Sequence, residues 1–287
     1  ATRFQMRPQF DPAPGADGAS DWTGLTDFTQ LPQSFDPPTH RFVNANNRVV
    51  PADFPTYVGR HYESPFRAAR IEEMLNGRKG LTADDFVAMQ MDVKTGDASL
   101  MLPRLLKTAP TSTAGKQAVA LLAKWNATMD RDRPEPLIYT AWIYRLQTAL
   151  IDERLGAGDR RAYYDPLLIA RMLDDEKDPG AILARTLDET LTALAGAYGQ
   201  DMTAWRWGVA HRSALTSQLF GTIPVIRRLF DIGRPNPGGD ETVDRAGIGP
   251  NDGVRFPDRH GPGYRGVFDL ADLDRSLFII ATGESGN

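Results

Sequence analysis

DPGAILARTLDETLTALAGAYG, residues 178–199, decides the centre of the fold. Asp178 followed by Pro179 is a capping residue with proline in the first helical turn, and Gly199 is a stop signal. Between them Leu183, Leu187, Leu191, Leu194 and Tyr198 recur at the spacing of one helix face. Core packing is the reading of such a stripe, ahead of any cofactor role.

The same grammar continues on the N-terminal side. Asp165-Pro166 repeats the cap-plus-proline start. Ile138, Trp142, Leu146, Ala149 and Leu150 mark a longer helix that should end near Gly156. Ala118, Leu121, Leu122 and Trp125 mark another. Pro103 should kink or break the segment from Ser99 to Lys107. Thr82 and Asp85 read as a capping box, with Leu81 and Phe86 as its staple, and Phe86, Met89 and Val93 keep helical spacing. Ser64 reads as a cap with Pro65 at the first position, followed by Phe66, Ile71, Met74 and Leu75.

Beyond these helices the chain changes character twice. Residues 1–63 are rich in Pro, Asp and Gly, and Pro8, Pro12, Pro14, Pro32, Pro37 and Pro38 forbid long helices. Arg41-Phe42-Val43 and Val49-Val50 are short β-like pieces on either side of Asn46-Asn47. Residues 231–287 return to β character. Gly238-Gly239-Asp240 reads as a turn before a Thr242-Val243 strand piece, and Tyr264–Leu270 and Leu277–Ala281 read as two strands. The expected class is α+β, with short β segments at both ends (1–63 and 231–287) flanking a large helical insertion, 64–230. The two β zones are free to lie side by side.

Composition narrows the functions open to the chain. Its 287 residues are 41% hydrophobic and 24% charged, a normal balance for a globular protein with a substantial core. A net charge of −4 with mixed signs lacks the clustered basic face that nucleic acid requires. There is no cysteine, hence no disulfide or thiolate metal site. No segment approaches the ~20 apolar residues of a membrane span. The chain opens on Ala1-Thr2-Arg3-Phe4 without a signal-peptide pattern and closes on Gly283-Glu284-Ser285-Gly286-Asn287. Both ends read as those of a trimmed or processed piece.

Two constellations carry possible chemistry. The first is Phe42-Val43-Asn44-Ala45-Asn46-Asn47, then Asp53-Phe54-Pro55, then Pro65-Phe66-Arg67-Ala68-Ala69-Arg70-Ile71, all preceded by Asp21-Trp22-Thr23-Gly24. The second is Trp205-Arg206-Trp207-Gly208-Val209-Ala210-His211-Arg212. It is followed by Gly238-Gly239-Asp240, by Gly261-Pro262-Gly263-Tyr264-Arg265 leading into Val267-Phe268-Asp269-Leu270, and by the terminal Gly283–Asn287 element. Taken alone, Asn46 fits a turn, where Asn tolerates left-handed backbone. Arg67 alone fits a surface helix charge or a partner for Glu63 or Glu72, a role Arg70 would fill more naturally.

In order and approximate spacing these elements resemble the penicillin amidase family, whose members are N-terminal-nucleophile amide hydrolases. The resemblance covers nearly the whole chain and places it in the C-terminal part of that family's β-subunit. It implies hydrolysis of an amide by an N-terminal serine whose own α-amino group is the base, since that group titrates at about 7.7–8.0. Asn46 then matches the oxyanion-hole asparagine and Arg67 the arginine near nucleophile and substrate. His211 is read as structural. Ser285 lacks a nucleophile elbow and is rejected. His40, His61 and His260 lack metal-ligand spacing. Asp174, Asp175, Glu176 and Asp178 read as a solvated acidic loop.

The departure from the family is at the start. Ala1 has no hydroxyl, so the nucleophile and the first core strands are expected on a missing segment. The expected partners are therefore the α-subunit and the N-terminal part of the β-subunit of the same enzyme, together with a small-molecule amide substrate. The chain alone should be inactive. No cofactor is implied, although the resemblance leaves room for a structural calcium in the complete enzyme. Export to the periplasm or outside the cell follows from the resemblance alone. The alternative function is a non-catalytic binding or scaffold module with an amidase-like fold.

Overall fold

The computed structural model describes residues 24–59, 61–156, 164–217 and 223–281, with residues 16, 18 and 220. Asp21-Trp22-Thr23, Ser285 and the whole Gly283–Asn287 element lie outside the described residues.

Helices fill the middle of the chain. They are α1 (Phe66–Leu75), α2 (Ala83–Gln90), α3 (Ala98–Leu105), α4 (Thr113–Leu122), α5 (Glu135–Leu155), α6 (Pro166–Asp174), α7 (Pro179–Tyr198), α8 (Trp207–Ala210) and α9 (Pro224–Phe230). Local chemistry sets several of their starts. Asp178 Oδ1 accepts from the Ala181 amide at 3.0 Å, and Asp165 Oδ1 accepts from Leu167 and Leu168 at 3.0 Å each. Thr82 and Asp85 close a reciprocal capping box. Gly156 (φ 78°) and Gly199 (φ 92°) end α5 and α7 in backbone that glycine adopts without strain.

The core lies along α5, which packs chiefly on α7 and also on α4, α6 and α8. Buried side chains surround it: Leu137, Ile138, Trp142, Ile143, Leu146 and Leu150. A helix buried on every side from Glu135 to Ile143 belongs in a centre. The α7 stripe supplies the facing surface, with Leu183, Leu187, Leu191 and Leu194 buried and Tyr198 half-buried. Trp142 Nε1 donates to Thr186 Oγ1 at 3.1 Å, so the indole's one polar atom is satisfied inside this contact.

Two short antiparallel pairs lie near the C-terminal end. β1 (Gly247–Ile248) pairs with β2 (Asp258–His260), and β3 (Tyr264–Val267) pairs with β4 (Leu277–Ile280) in the register Tyr264↔Ile280 to Val267↔Leu277. The mixed class read from the sequence stands, with the strands at this end.

Four local expectations are corrected. Arg41–Val43 and Val49–Val50 lie in irregular backbone without ladder pairing among the described residues. Thr242-Val243 is a bend rather than a strand, because Thr242 Oγ1 turns inward to accept from the Gly239 amide at 3.0 Å. Pro103 does not break α3, which runs on to Leu105. Buried Met101 and Leu105 hold the turn around the proline, which removes only one intrahelical hydrogen bond. Ser64 does not cap α1, since its hydroxyl donates to Glu241 instead.

That last bond ties the start of the helical region to the segment that follows it. Arg245 Nη1 lies 3.5 Å from Glu63 Oε1, and the Gly96 amide donates to the Glu241 carbonyl at 3.3 Å. The segment around residues 46–67 therefore meets residues 241–245 beside the start of α3.

Candidate functional site

Asn44-Ala45-Asn46-Asn47 folds through its own side chains. Asn44 Oδ1 accepts from the Asn46 amide at 2.9 Å, and Asn47 Oδ1 accepts from the Ala45 amide at 3.1 Å. These side-chain turns hold Asn46 at φ 65°, a left-handed conformation that Asn tolerates better than other non-glycine residues. The Asn46 carbonyl then accepts from the Glu63 amide at 2.9 Å. The turn reading of Asn46 is thus correct for its backbone.

Its side chain has a second partner. Arg67, 8% exposed in the first turn of α1, donates from Nη2 to Asn46 Oδ1 at 2.9 Å. Because a guanidinium only donates, the amide oxygen must face Arg67, and this fixes which end of the amide is which. Asn46 is exposed, and no described residue accepts from its Nδ2. The arrangement presents two N–H donors outward from an amide whose oxygen is polarised by a buried positive charge. The helix-surface roles fall to other arginines. Arg70 pairs with Asp92 at 2.7 Å and Glu73 at 2.9 Å, and Arg41 pairs with Glu72 at 2.6 Å.

Behind Arg67 stands Glu241, 5% exposed. Burial pushes its carboxyl up to about 7, opposed by the Ser64 hydroxyl and the Arg67 charge. Sequence reading passed over this residue. Nothing in the local pattern marks an acid after Gly-Gly-Asp as buried, and its partners lie some 175 residues away in the chain.

The Trp-Arg-Trp-Gly element supports the loop that carries Glu241. Trp207 Nε1 donates to the Gly238 carbonyl at 2.9 Å, and the Gly238 amide donates to Met129 O at 2.9 Å. Gly238 has φ 81°, and a Cβ there would meet the Asp244 carbonyl at 2.6 Å. Gly208 lets α8 approach closely, since a Cβ would fall 2.8 Å from both Arg131 Cβ and Pro235 Cβ. His211 is fully buried, stacked on Trp207 with ring centres 4.4 Å apart, and its Nδ1 is 2.6 Å from the Phe256 carbonyl. That contact makes Nδ1 the protonated nitrogen, and burial pulls the imidazole down to about 4. His211 is a neutral structural link between α8 and the segment leading to β2.

The remaining candidates are not gathered at this site. His40 sits 3.7 Å from Asp36 on the surface, and His260 is an exposed residue of β2. Asp174 pairs with Arg104 at 2.7 Å and Asp178 caps α7, so the acidic loop serves helix ends. Among the described residues no group of three His, Cys, Asp or Glu side chains is placed to hold a metal ion, and no helix is long and apolar enough to cross a membrane.

Similarity to known proteins agrees with the ordered motifs. A model of the penicillin amidase family matches residues 2–287. The chain is 28% identical over 303 residues to the penicillin acylase 2 proenzyme of Pseudomonas sp. (strain SE83), covering 99% of this chain and 39% of that protein. It is 28% identical over 316 residues to the acyl-homoserine lactone acylase QuiP of Pseudomonas syringae pv. syringae, covering 96% and 38%. The QuiP protein of Pseudomonas putida is 26% identical over 320 residues, with 96% and 38% covered. The chain thus spans about two fifths of the length of these relatives. With the family match running over essentially all of its residues, the chain belongs to the penicillin amidase family.

Proposed function

We propose that this chain is the oxyanion-binding segment of an N-acyl amide hydrolase whose N-terminal serine nucleophile resides on another segment of the same enzyme. The observation that carries the reading is the 2.9 Å hydrogen bond from Arg67 Nη2 to Asn46 Oδ1, which turns the Asn46 NH2 outward. In this reading residues 1–63 and 231–287 belong to the hydrolase core and 64–230 is its helical insertion.

The chemistry follows from charge development. When a serine oxygen adds to an amide carbonyl, the carbonyl oxygen becomes negative in the tetrahedral intermediate. A donor already aimed at that position stabilises it without reorganisation, and losing one such donor costs about 3–4 kcal/mol. Asn46 supplies the donor without adding a charge next to the α-amine that acts as base. Arg67 holds the amide in place and adds a positive potential. With relatives named penicillin acylase and acyl-homoserine lactone acylase, the substrate class proposed here is a secondary amide, an acyl group joined to nitrogen.

Exposed apolar surface supports the partner assignment. Phe35 is 97% exposed, and Leu25, Phe28 and Phe42 are exposed on the same N-terminal stretch. On β4, Leu277, Phe278 and Ile279 are all exposed, so both faces of a two-stranded pair are open. In this reading these exposed apolar side chains mark an interface. In the complete enzyme it packs against the α-subunit and the N-terminal part of the β-subunit, which activates as a processed precursor after export.

The test is to express the full-length precursor and assay it on phenylacetyl and long-chain acyl amides, beside its Asn46→Ala variant. The expected result is turnover by the parent and a loss of about 100- to 1,000-fold in kcat in the variant, with unchanged melting. Near-native kcat in Asn46→Ala removes the oxyanion role. An inactive parent favours the non-catalytic scaffold.

A further inference from the structure

Three carboxyl groups outside the Asn46–Arg67 pair meet inside the protein. Asp97, 1% exposed at the start of α3, accepts hydrogen bonds from the hydroxyls of Thr95, Tyr164 and Tyr139, the last at 2.8 Å. Asp240 accepts from Tyr144 Oη at 3.1 Å and from the Ile248 amide at 3.0 Å. Glu241 accepts from Ser64. Asp97, Asp240 and Glu241 line one cavity of about 20 Å³, together with Thr95, Tyr139 and Tyr164. A space of that size takes no more than a single water; half-buried Asp240 also borders a neighbouring cavity of about 820 Å³.

Charged and titratable groups face this cavity from several elements. Arg67 of α1 acts on Glu241, and Arg245 of the same loop acts on Asp240. Tyr139 of α5 and Tyr164 ahead of α6 face Asp97 with phenols that burial holds protonated well above their ordinary range. The two guanidiniums offset burial only in part. Burial pushes Asp240 up to about 6, with a small addition from Asp97, and Glu241 up to about 7, with additions from Asp97 and Asp240, while Asp97 is raised mainly by burial.

We propose that Asp97, Asp240 and Glu241, around one small cavity, form an acid cluster that makes the junction between the helical bundle and the Gly238–Arg245 loop a pH-sensitive lock, closed while protonated and loosened as the protons leave. The loop joins the bundle through three backbone bonds next to the acids. These are Gly238 N to Met129 O at 2.9 Å, Asp244 N to Asp92 O at 2.9 Å, and Gly96 N to Glu241 O at 3.3 Å. A carboxyl whose folded pKa is raised binds protons more tightly folded than unfolded, so its stabilisation is full below the ordinary carboxylate range and lost on rising through the folded value. The window runs from about pH 4 to about 7. Protons leave the cluster to solvent as pH rises, and repulsion among the remaining charges acts across the junction. This goes beyond the acylase reading, because the lock does not depend on any substrate.

The test uses the full-length protein and two neutral, near-isosteric variants, Asp240→Asn and Glu241→Gln. Infrared difference titration reads buried protonated carboxyls directly. Hydrogen exchange at Gly96, Gly238 and Asp244, corrected for intrinsic rates, reads the junction. Wild type should retain a protonated-carboxyl band at pH 6, diminished in each variant, and its junction exchange should rise about tenfold from pH 5 to 8, the change carried by one unit of pKa shift. Glu241→Gln should flatten that rise. A wild type with no protonated band above the ordinary carboxylate range overturns the proposal even if neither variant folds. So does a junction rise equal in wild type and Glu241→Gln. Neither readout requires turnover, so an inactive enzyme would sink the acylase reading and leave this result to stand or fall by itself.

Discussion

The helical bundle and the segments flanking it solve burial differently. Around α5 and α7 nearly every large apolar side chain faces another, with Trp142, Leu146, Leu187 and Leu194 fully enclosed. In the stretch from Leu25 to Val58 and on β4, large apolar side chains face outward. The bundle is held by its own sequence. The flanks expose apolar surface that the proposed function assigns to other segments of the enzyme, and it is the flanks that carry Asn46. Structure that positions the site is therefore divided: Arg67 is anchored in the bundle's first helix, while its partner sits on a loop with little core of its own.

Two substitutions sharpen that contrast. Trp142→Ala should cost about 3–5 kcal/mol of stability by opening a cavity between α5 and α7, measured by chemical denaturation. The loss should be similar in the chain as given and in the full-length protein, since both sides of the contact lie in this chain. Phe35→Ser should stay within about 0.5 kcal/mol in the chain as given, as for an ordinary surface change. In the full-length protein it should cost clearly more. Equal, small effects in both would mean that this surface is open in the complete enzyme, and the division drawn above would fail.

The bundle was also the legible half. Asp165, Asp178 and Thr82 act as caps because each needs only an amide two or three residues ahead, and the α7 stripe states its own buried face. Local signals failed where a side chain finds a competing partner, near or far. Ser64 resembles a cap, yet Glu241 takes its hydroxyl. Thr242 and Val243 have strand propensity, yet the Thr242 hydroxyl closes a turn on Gly239. Arg41–Val43 has a β-like pattern without a paired neighbour among the described residues. The site was half legible. Asn46 and Arg67 were placed by ordered motifs, whereas buried Asp97 and Glu241 and half-buried Asp240 carry no pattern that separates them from surface carboxylates.

Protonation adds a second contrast between these parts. His211, pulled down by burial to about 4, is neutral in the folded state and contributes stability above its ordinary value near 6.5 that is lost as pH falls toward 4. The acid cluster runs the opposite way and loses stability as pH rises toward 7. The segment from Arg206 to Asp258 is thus opposed by acid through its histidine and by base through its carboxyls.

If Arg67 acts through Asn46 on a developing oxyanion, a double-mutant cycle on kcat in the full-length enzyme will show the two residues coupled. Asn46→Ala and Arg67→Ala should each lower kcat strongly, and the double variant should be little worse than Asn46→Ala alone, a coupling of at least about 1 kcal/mol. Additive losses would mean that the two residues act independently and would contradict the account.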